Sequence, residues 1–204
     1  MTESIKNPEL HLSRLESYPE FIRDTENVGK RGVYIWGFCF VNPKTAATSE
    51  FIPYYVGKHR NNIHRRIQEH FLGLREGTHK ILYSRLLGKS EFFPSQKSED
   101  HAFLNIIDKK RRKDSLSSEQ IVALAPHVAA YLDNFFVTYI DVSHIGLSKT
   151  DESDYVDQLE RYVQTIIGEL RLSCRSGAKL KKDFRPAIIP SKGTEHLLRN
   201  YPLS

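Results

Sequence analysis

Cysteine is nearly absent from this chain: Cys39 and Cys174 are the two among 204 residues. Two cysteines make neither a disulfide framework nor a cysteine metal cluster, and a reduced, cytoplasmic setting is expected. Long apolar runs are also missing. No stretch approaches the roughly 18 consecutive apolar residues that a membrane span needs. The N-terminal MTESIKNPEL has no apolar core, so no signal peptide is expected. Internal repeats and low-complexity tracts are absent too, which excludes solenoids and disordered linkers of biased composition.

What is there is a chain long enough to bury a core, read as one domain or one domain with arms. The formal charge is +5 and the isoelectric point about 9.1. That balance suits a polyanionic partner such as nucleic acid, although many enzymes are equally basic.

Three segments read as strands. GVYIWGFCFV, residues 32–41, is rich in aromatic and β-branched side chains. The turn residues NPKTAATSE follow, then FIPYYVG at 51–57, so the pair reads as a hairpin with a long connection. NFFVTYIDV, residues 134–142, is the third. Residues 8–23 suggest one or two helical turns interrupted by Pro19. Residues 62–74 read as a helix capped by Asn62, with Ile63, Ile67, Phe71 and Leu74 as its apolar stripe. Another helix is expected over 118–132, bent or split by Pro126. The clearest helix is 152–170, with apolar residues at 155, 156, 159, 162, 163, 166, 167 and 170 forming a wide stripe for the sheet. From Cys174 onward the tail is basic and is expected to be poorly regular.

The strands and helices carry a sequence of chemistry-bearing residues. Gly32-Val33-Tyr34 lies in the first strand, and Tyr55-Val56-Gly57 ends the second, followed directly by Lys58. Arg66 and His70 follow, four apart and so on one helical face, and Glu160 stands in the late helix. This order resembles the GIY-YIG nuclease family, with GVY where that family has GIY and YVG where it has YIG. The likeness covers residues 32–75 well and 134–170 more loosely. Singly, each residue has a plainer reading: a packed tyrosine, a solvated arginine, a structural histidine, an edge glutamate. The joint pattern carries the resemblance.

The resemblance implies hydrolysis of a phosphodiester, which needs a base, cations for the developing charge and help for the leaving oxygen. Tyr34 would be the base. Its free pKa of about 10 makes it a poor one unless neighbouring positive charge favours the phenolate, and Lys58 could supply that charge. Tyr55 would support it from the next strand. Arg66 would present a planar fork to two phosphate oxygens, and His70 would orient the tyrosine or shuttle a proton. Glu160 would hold one Mg²⁺, or another divalent cation such as Mn²⁺, with waters filling the remaining positions. Glu152 and Glu169 are alternatives nearer the ends of that helix.

The chain departs from the family in two places. Its glutamate helix runs into LRLSCRSG, without the asparagine that many members carry, and residues 76–133 form a long insertion. The densest charge block, Lys109, Lys110, Arg111, Arg112 and Lys113, falls in that insertion and in a nuclease would contact phosphates, as would Arg65. Tyr83, Phe92 and Phe93 in the same insertion read as packing residues.

The expected fold class is α/β: a small three-stranded, mainly antiparallel sheet flanked by helices, with inserted and terminal additions. A helical arm at 1–30 precedes the nuclease-like domain at 31–172, and a basic tail at 173–204 follows it. The implied activity is that of a metal-dependent DNA endonuclease on double-stranded DNA. With no attached recognition module, a restriction-type member is favoured, and a homodimer would let one site per chain cut both strands. The rivals are a non-cleaving nucleic-acid-binding protein on the same scaffold and a repair or mobile-element nuclease of the family.

Overall fold

The computed structural model describes residues 8–39, 51–75, 117–119, 122, 123, 126, 132–167 and 179–198, with the backbone alone at 52 and 54. Strand β1 is Leu10–His11 and β2 is Glu16–Ser17. Helix α1, Tyr18–Arg23, and a 3₁₀ turn at Thr25–Asn27 lead into β3, Gly32–Phe38. Strand β4 is Ile52–His59, helix α2 Ile63–Arg75 and strand β5 Phe135–Asp141. Helix α3 is Lys149–Ile167, followed by β6, Ile188–Ile189, and a 3₁₀ turn at Glu195–Leu198.

The α/β architecture rests on a four-stranded antiparallel sheet in the order β2-β5-β3-β4. Three of these strands are the expected ones. The fourth, β2, comes from a region expected to be helical, where only α1 forms. Pro19 does not interrupt that helix. It sits in the first turn, where no intrahelical N–H is lost. Glu20 closes the start by accepting from the Ser17 backbone N–H at 3.0 Å and its hydroxyl at 2.7 Å. The C-terminal residues are also more regular than expected: β6 pairs in parallel with β1.

Strand β4 is an edge strand, which explains why Pro53 is tolerated within it. The β3–β4 register slips between Trp36 and Gly37, where Pro53 stands opposite Gly37. Helix α3 begins at Lys149, three residues before the expected start. Ser148 caps it, its hydroxyl accepting from the Asp151 N–H at 3.2 Å and donating to the Asp151 carboxylate at 2.6 Å.

Alternation along the strands sorts the side chains onto two faces. On one, Tyr34, Trp36 and Phe38 lie beside Tyr55, Phe135 and Val137, covered by α1 and α2; the Trp36 and Phe135 rings stack with centroids 5.2 Å apart. On the other, Val33, Ile35, Val56 and Ile140 pack with Val156, Leu159 and Val163 of α3, together with Leu10, Leu12 and Ile188. No helix among the described residues is long and apolar enough to cross a membrane.

Candidate active site

Both glycines of the two tripeptides have steric reasons for being there. Gly32 has φ +138°, and a Cβ on it would run into the Ile140 carbonyl of β5. Gly57 lies opposite Tyr34 in the β3–β4 register. A Cβ there would sit 2.5 Å from the Tyr34 hydroxyl oxygen and 2.5 Å from Cε1 of Tyr55. The absent side chain is what lets the two tyrosines approach, with ring centroids 6.0 Å apart.

Helix α2 delivers His70 to the same place. Asn62 caps the helix as expected, its Oδ1 accepting from the Arg65 N–H at 3.0 Å. His59 accepts from the Asn62 N–H at 2.8 Å through Nδ1, which sets the turn between β4 and α2. The buried stripe is Ile63, Ile67, His70 and Leu74. His70 takes the place expected for Phe71, which instead stacks on Tyr18 at 3.5 Å. His70 is fully buried, and its Nε2 lies 2.7 Å from the hydroxyl of Tyr34, itself 1% exposed.

Arg66 and Tyr55 also hydrogen-bond the Tyr34 hydroxyl. The net effect on its acidity is nonetheless the reverse of expectation. Burial pushes the Tyr34 pKa well above the usual tyrosine range; Arg66 and Tyr55 pull it back only in part, and the Glu160 charge pushes it further up. Desolvation therefore outweighs the cation, and Tyr34 rests as a neutral phenol. Lys58 does not help to lower it. Lys58 points to the opposite face, where its ammonium lies 2.7 Å from Glu160 and 3.1 Å from Asp157.

Glu160 is 4% exposed, on α3. Burial holds its pKa above the usual carboxylate range, with the Lys58 bond and charge pulling the other way. Burial likewise opposes the Lys58 charge, but the bonds to Glu160 and Asp157 outweigh it and raise the lysine pKa. Of the alternatives to Glu160, Glu152 is taken by Arg31 at 3.1 Å, and Glu169 lies outside the described residues.

The donor set fits a divalent cation sparsely bound. Among the described residues no three His, Cys, Asp or Glu side chains gather as ligands. Glu160 is nonetheless a buried carboxylate already holding one cation, and Mg²⁺ keeps several waters in its shell when bound by one or two carboxylates.

Two acidic residues escaped the sequence reading. Glu69 binds both arginines of α2, Arg65 Nε at 3.2 Å and Arg66 Nη1 at 2.9 Å. Asp157 binds Lys58 and also Arg60, at 2.9 Å. Helical spacing could have found each, because Glu69 stands three and four residues after the arginines and Asp157 three before Glu160. Arg65 projects into solvent on α2. Lys109 to Lys113, Tyr83, Phe92, Phe93 and most of the expected 118–132 helix lie outside the described residues.

Compared with family models, curated proteins and solved structures, the chain matches none of them significantly.

Proposed function

We propose that this chain is a metal-dependent DNA endonuclease of the GIY-YIG type, hydrolysing phosphodiester bonds in duplex DNA as a restriction enzyme does. The observation that carries the reading is the Tyr34 hydroxyl. His70 Nε2, Arg66 and Tyr55 all bond to it, and it feels the charge of Glu160 from the other face of the sheet.

A buried tyrosine with a raised pKa is a weak base alone. The contact with His70 supplies the remedy. When Nε2 is unprotonated, the Tyr34 O–H donates to it, and the phenol oxygen can take a proton from an attacking water as it passes its own to the imidazole. Tyr55 holds the Tyr34 oxygen in place. Arg66, tethered to Glu69, offers its remaining N–H groups to a phosphate oxygen. Glu160 would hold the Mg²⁺ or Mn²⁺, which when bound supplies positive charge at the leaving oxygen. A dimer on a palindrome would cut both strands.

The rival reading, a non-cleaving nucleic-acid-binding protein on this scaffold, draws on the Lys58–Glu160 pair, which neutralises the one buried carboxylate of the site. A Mg²⁺-dependent cleavage assay on plasmid and phage DNA separates the two, with Glu160→Ala alongside. Discrete fragments from the wild type, and none from the variant, are expected. Binding without cleavage across several divalent metals would establish the rival.

A further inference from the structure

We infer that Asp157 and Glu160 form one cation position that the chain's own Lys58 fills, and that a divalent cation binds there by displacing the lysine. The inference deepens the nuclease reading and rests on it for the ion's role, though not for the ion's binding.

Asp157, Glu160 and Gln164 stand at i, i+3 and i+7 of α3 and so share one face. That face meets the edge strand β4, where the Gln164 amide donates to the Val56 carbonyl at 3.4 Å. The Lys58 ammonium lies 2.7 Å from Oε2 of Glu160 and 3.1 Å from Oδ1 of Asp157. One nitrogen within bonding distance of both carboxylates marks a point where they converge. Two carboxylates that close repel each other unless a cation lies between them.

A second observation points the same way. Gln164 is 9% exposed, and its Oε1 is buried with no hydrogen-bond partner among the described residues. The face therefore presents two carboxylates and an amide oxygen lacking a donor. Hard oxygen donors of this kind suit Mg²⁺ and Mn²⁺.

The charges explain why lysine and metal exclude each other. Lys58 and Arg60 balance Asp157 and Glu160. A divalent ion added to that set would leave an excess of positive charge, and Lys58, with the compact ammonium and the flexible stem, is the group that can leave. Once released it has no carboxylate of its own and is free to meet a substrate phosphate. The lysine after Gly57 thus passes from a structural pair to a substrate contact when the metal arrives.

The test is Mn²⁺ binding to the full chain without DNA, read from the electron paramagnetic resonance signal of free Mn²⁺. Lys58→Met is expected to bind Mn²⁺ about tenfold more tightly than wild type, because the competitor is gone. Asp157→Asn is expected to bind about tenfold more weakly, and Glu160→Gln to lose binding. Equal or weaker affinity in Lys58→Met overturns the exchange, and unchanged affinity in Asp157→Asn removes the second carboxylate. Near-UV circular dichroism checks that each variant is folded; should Lys58→Met not fold, Lys58→Gln, which removes the ammonium but keeps a polar side chain, is read in its place with the same expectation. Cleavage on the same samples keeps the two ideas apart. The expected Mn²⁺ pattern without any cleavage would sink the nuclease reading alone, whereas cleavage with no tightening in Lys58→Met would sink the exchange alone.

Discussion

The two faces of the sheet are built from different materials. The face under α2 is aromatic, and around Tyr34 its polar atoms sit at the tips of large rings: Tyr34, Tyr55 and His70 are all buried, with His70 and Tyr55 both bonded to the Tyr34 hydroxyl, while the buried Glu16 of this face lies at the β2 edge beside Arg14. The face under α3 is aliphatic at its centre, and its charges lie at the margins: Lys58 with Asp157 and Glu160 on the side that meets β4, and Arg31 with Glu152 near the start of the helix. Rings can be buried with a hydroxyl or imidazole attached where the tip finds a partner, as the Tyr34 hydroxyl does in His70 Nε2. A carboxylate can be buried only beside a cation. Around Tyr34 the aromatic face is thus suited to moving protons, and beside β4 the aliphatic face to holding charge. Tyr34 and Lys58 face adjacent strand positions of the hairpin, opposite Gly57 and Val33 in turn, so the two chemistries meet at one end of it.

The sharpest way to break that division is to compare one deletion on each face. Tyr34→Phe removes a single oxygen from the aromatic face and keeps the ring. Cleavage is expected to fall by about 10³-fold, the scale of a lost acid–base group, while DNA binding in a gel-shift assay stays near wild type. Cleavage persisting in this variant would remove Tyr34 from the chemistry. Leu159→Ala on the aliphatic face should do the opposite. Leu159 is fully buried against the sheet, and its loss should cost about 3 kcal/mol of stability in urea unfolding, with turnover of the folded fraction little changed. A Leu159→Ala protein that is stable but inactive would mean that the two faces are not separable.

Strand identity was legible in the sequence because β-branched and aromatic runs mark β3, β4 and β5 strongly. The short β2 was not. Two residues carry no periodicity, and Glu16–Ser17 is a strand only because Val137 and Phe136 stand opposite it. The order Tyr34, Tyr55, Arg66, His70, Glu160 could also be read, since each lies in an element whose pattern is clear. What could not be read was desolvation. Neighbouring cations promise a lowered tyrosine pKa, but the depth at which Tyr34 is buried reverses the sign. Nor could the sequence show that Lys58 turns to the other face, because that depends on which residue of β4 stands opposite Gly32.

Gly57→Ala sharpens the comparison from inside the aromatic face. Its added carbon would meet both tyrosines at 2.5 Å, so one ring must move. A shift of this size at the reacting groups should cost about 10²-fold in cleavage, and the overpacking about 1–3 kcal/mol in stability. The Glu160–Lys58 side of the hairpin should be unaffected, so Mn²⁺ affinity is expected to match wild type. A changed Mn²⁺ affinity with normal cleavage would invert the assignment of the two faces.

The smallest effects are those of single tyrosines at high pH. Burial raises Tyr34 on the aromatic face, and pushes Tyr139 of that face up to about 12, with Glu16 and Asp141 adding to the shift. Tyr155 of α3, packed against Phe184, is pushed up to about 12 by burial alone. Each folded pKa lies above the unfolded value of about 10, so the folded chain holds these protons more tightly than the unfolded one. The stability they contribute is complete below pH about 10 and is lost as pH rises through the folded values. The melting temperature should therefore fall from pH about 10 upward, and Tyr155→Phe should soften that fall by one group's share without touching cleavage. Tyr34→Phe should soften it as well, together with the about 10³-fold loss of cleavage. If both variants left the alkaline limb as steep as wild type, burial would not be what sets these pKa values. The neutral Tyr34 on which the His70 relay depends would then lose its cause.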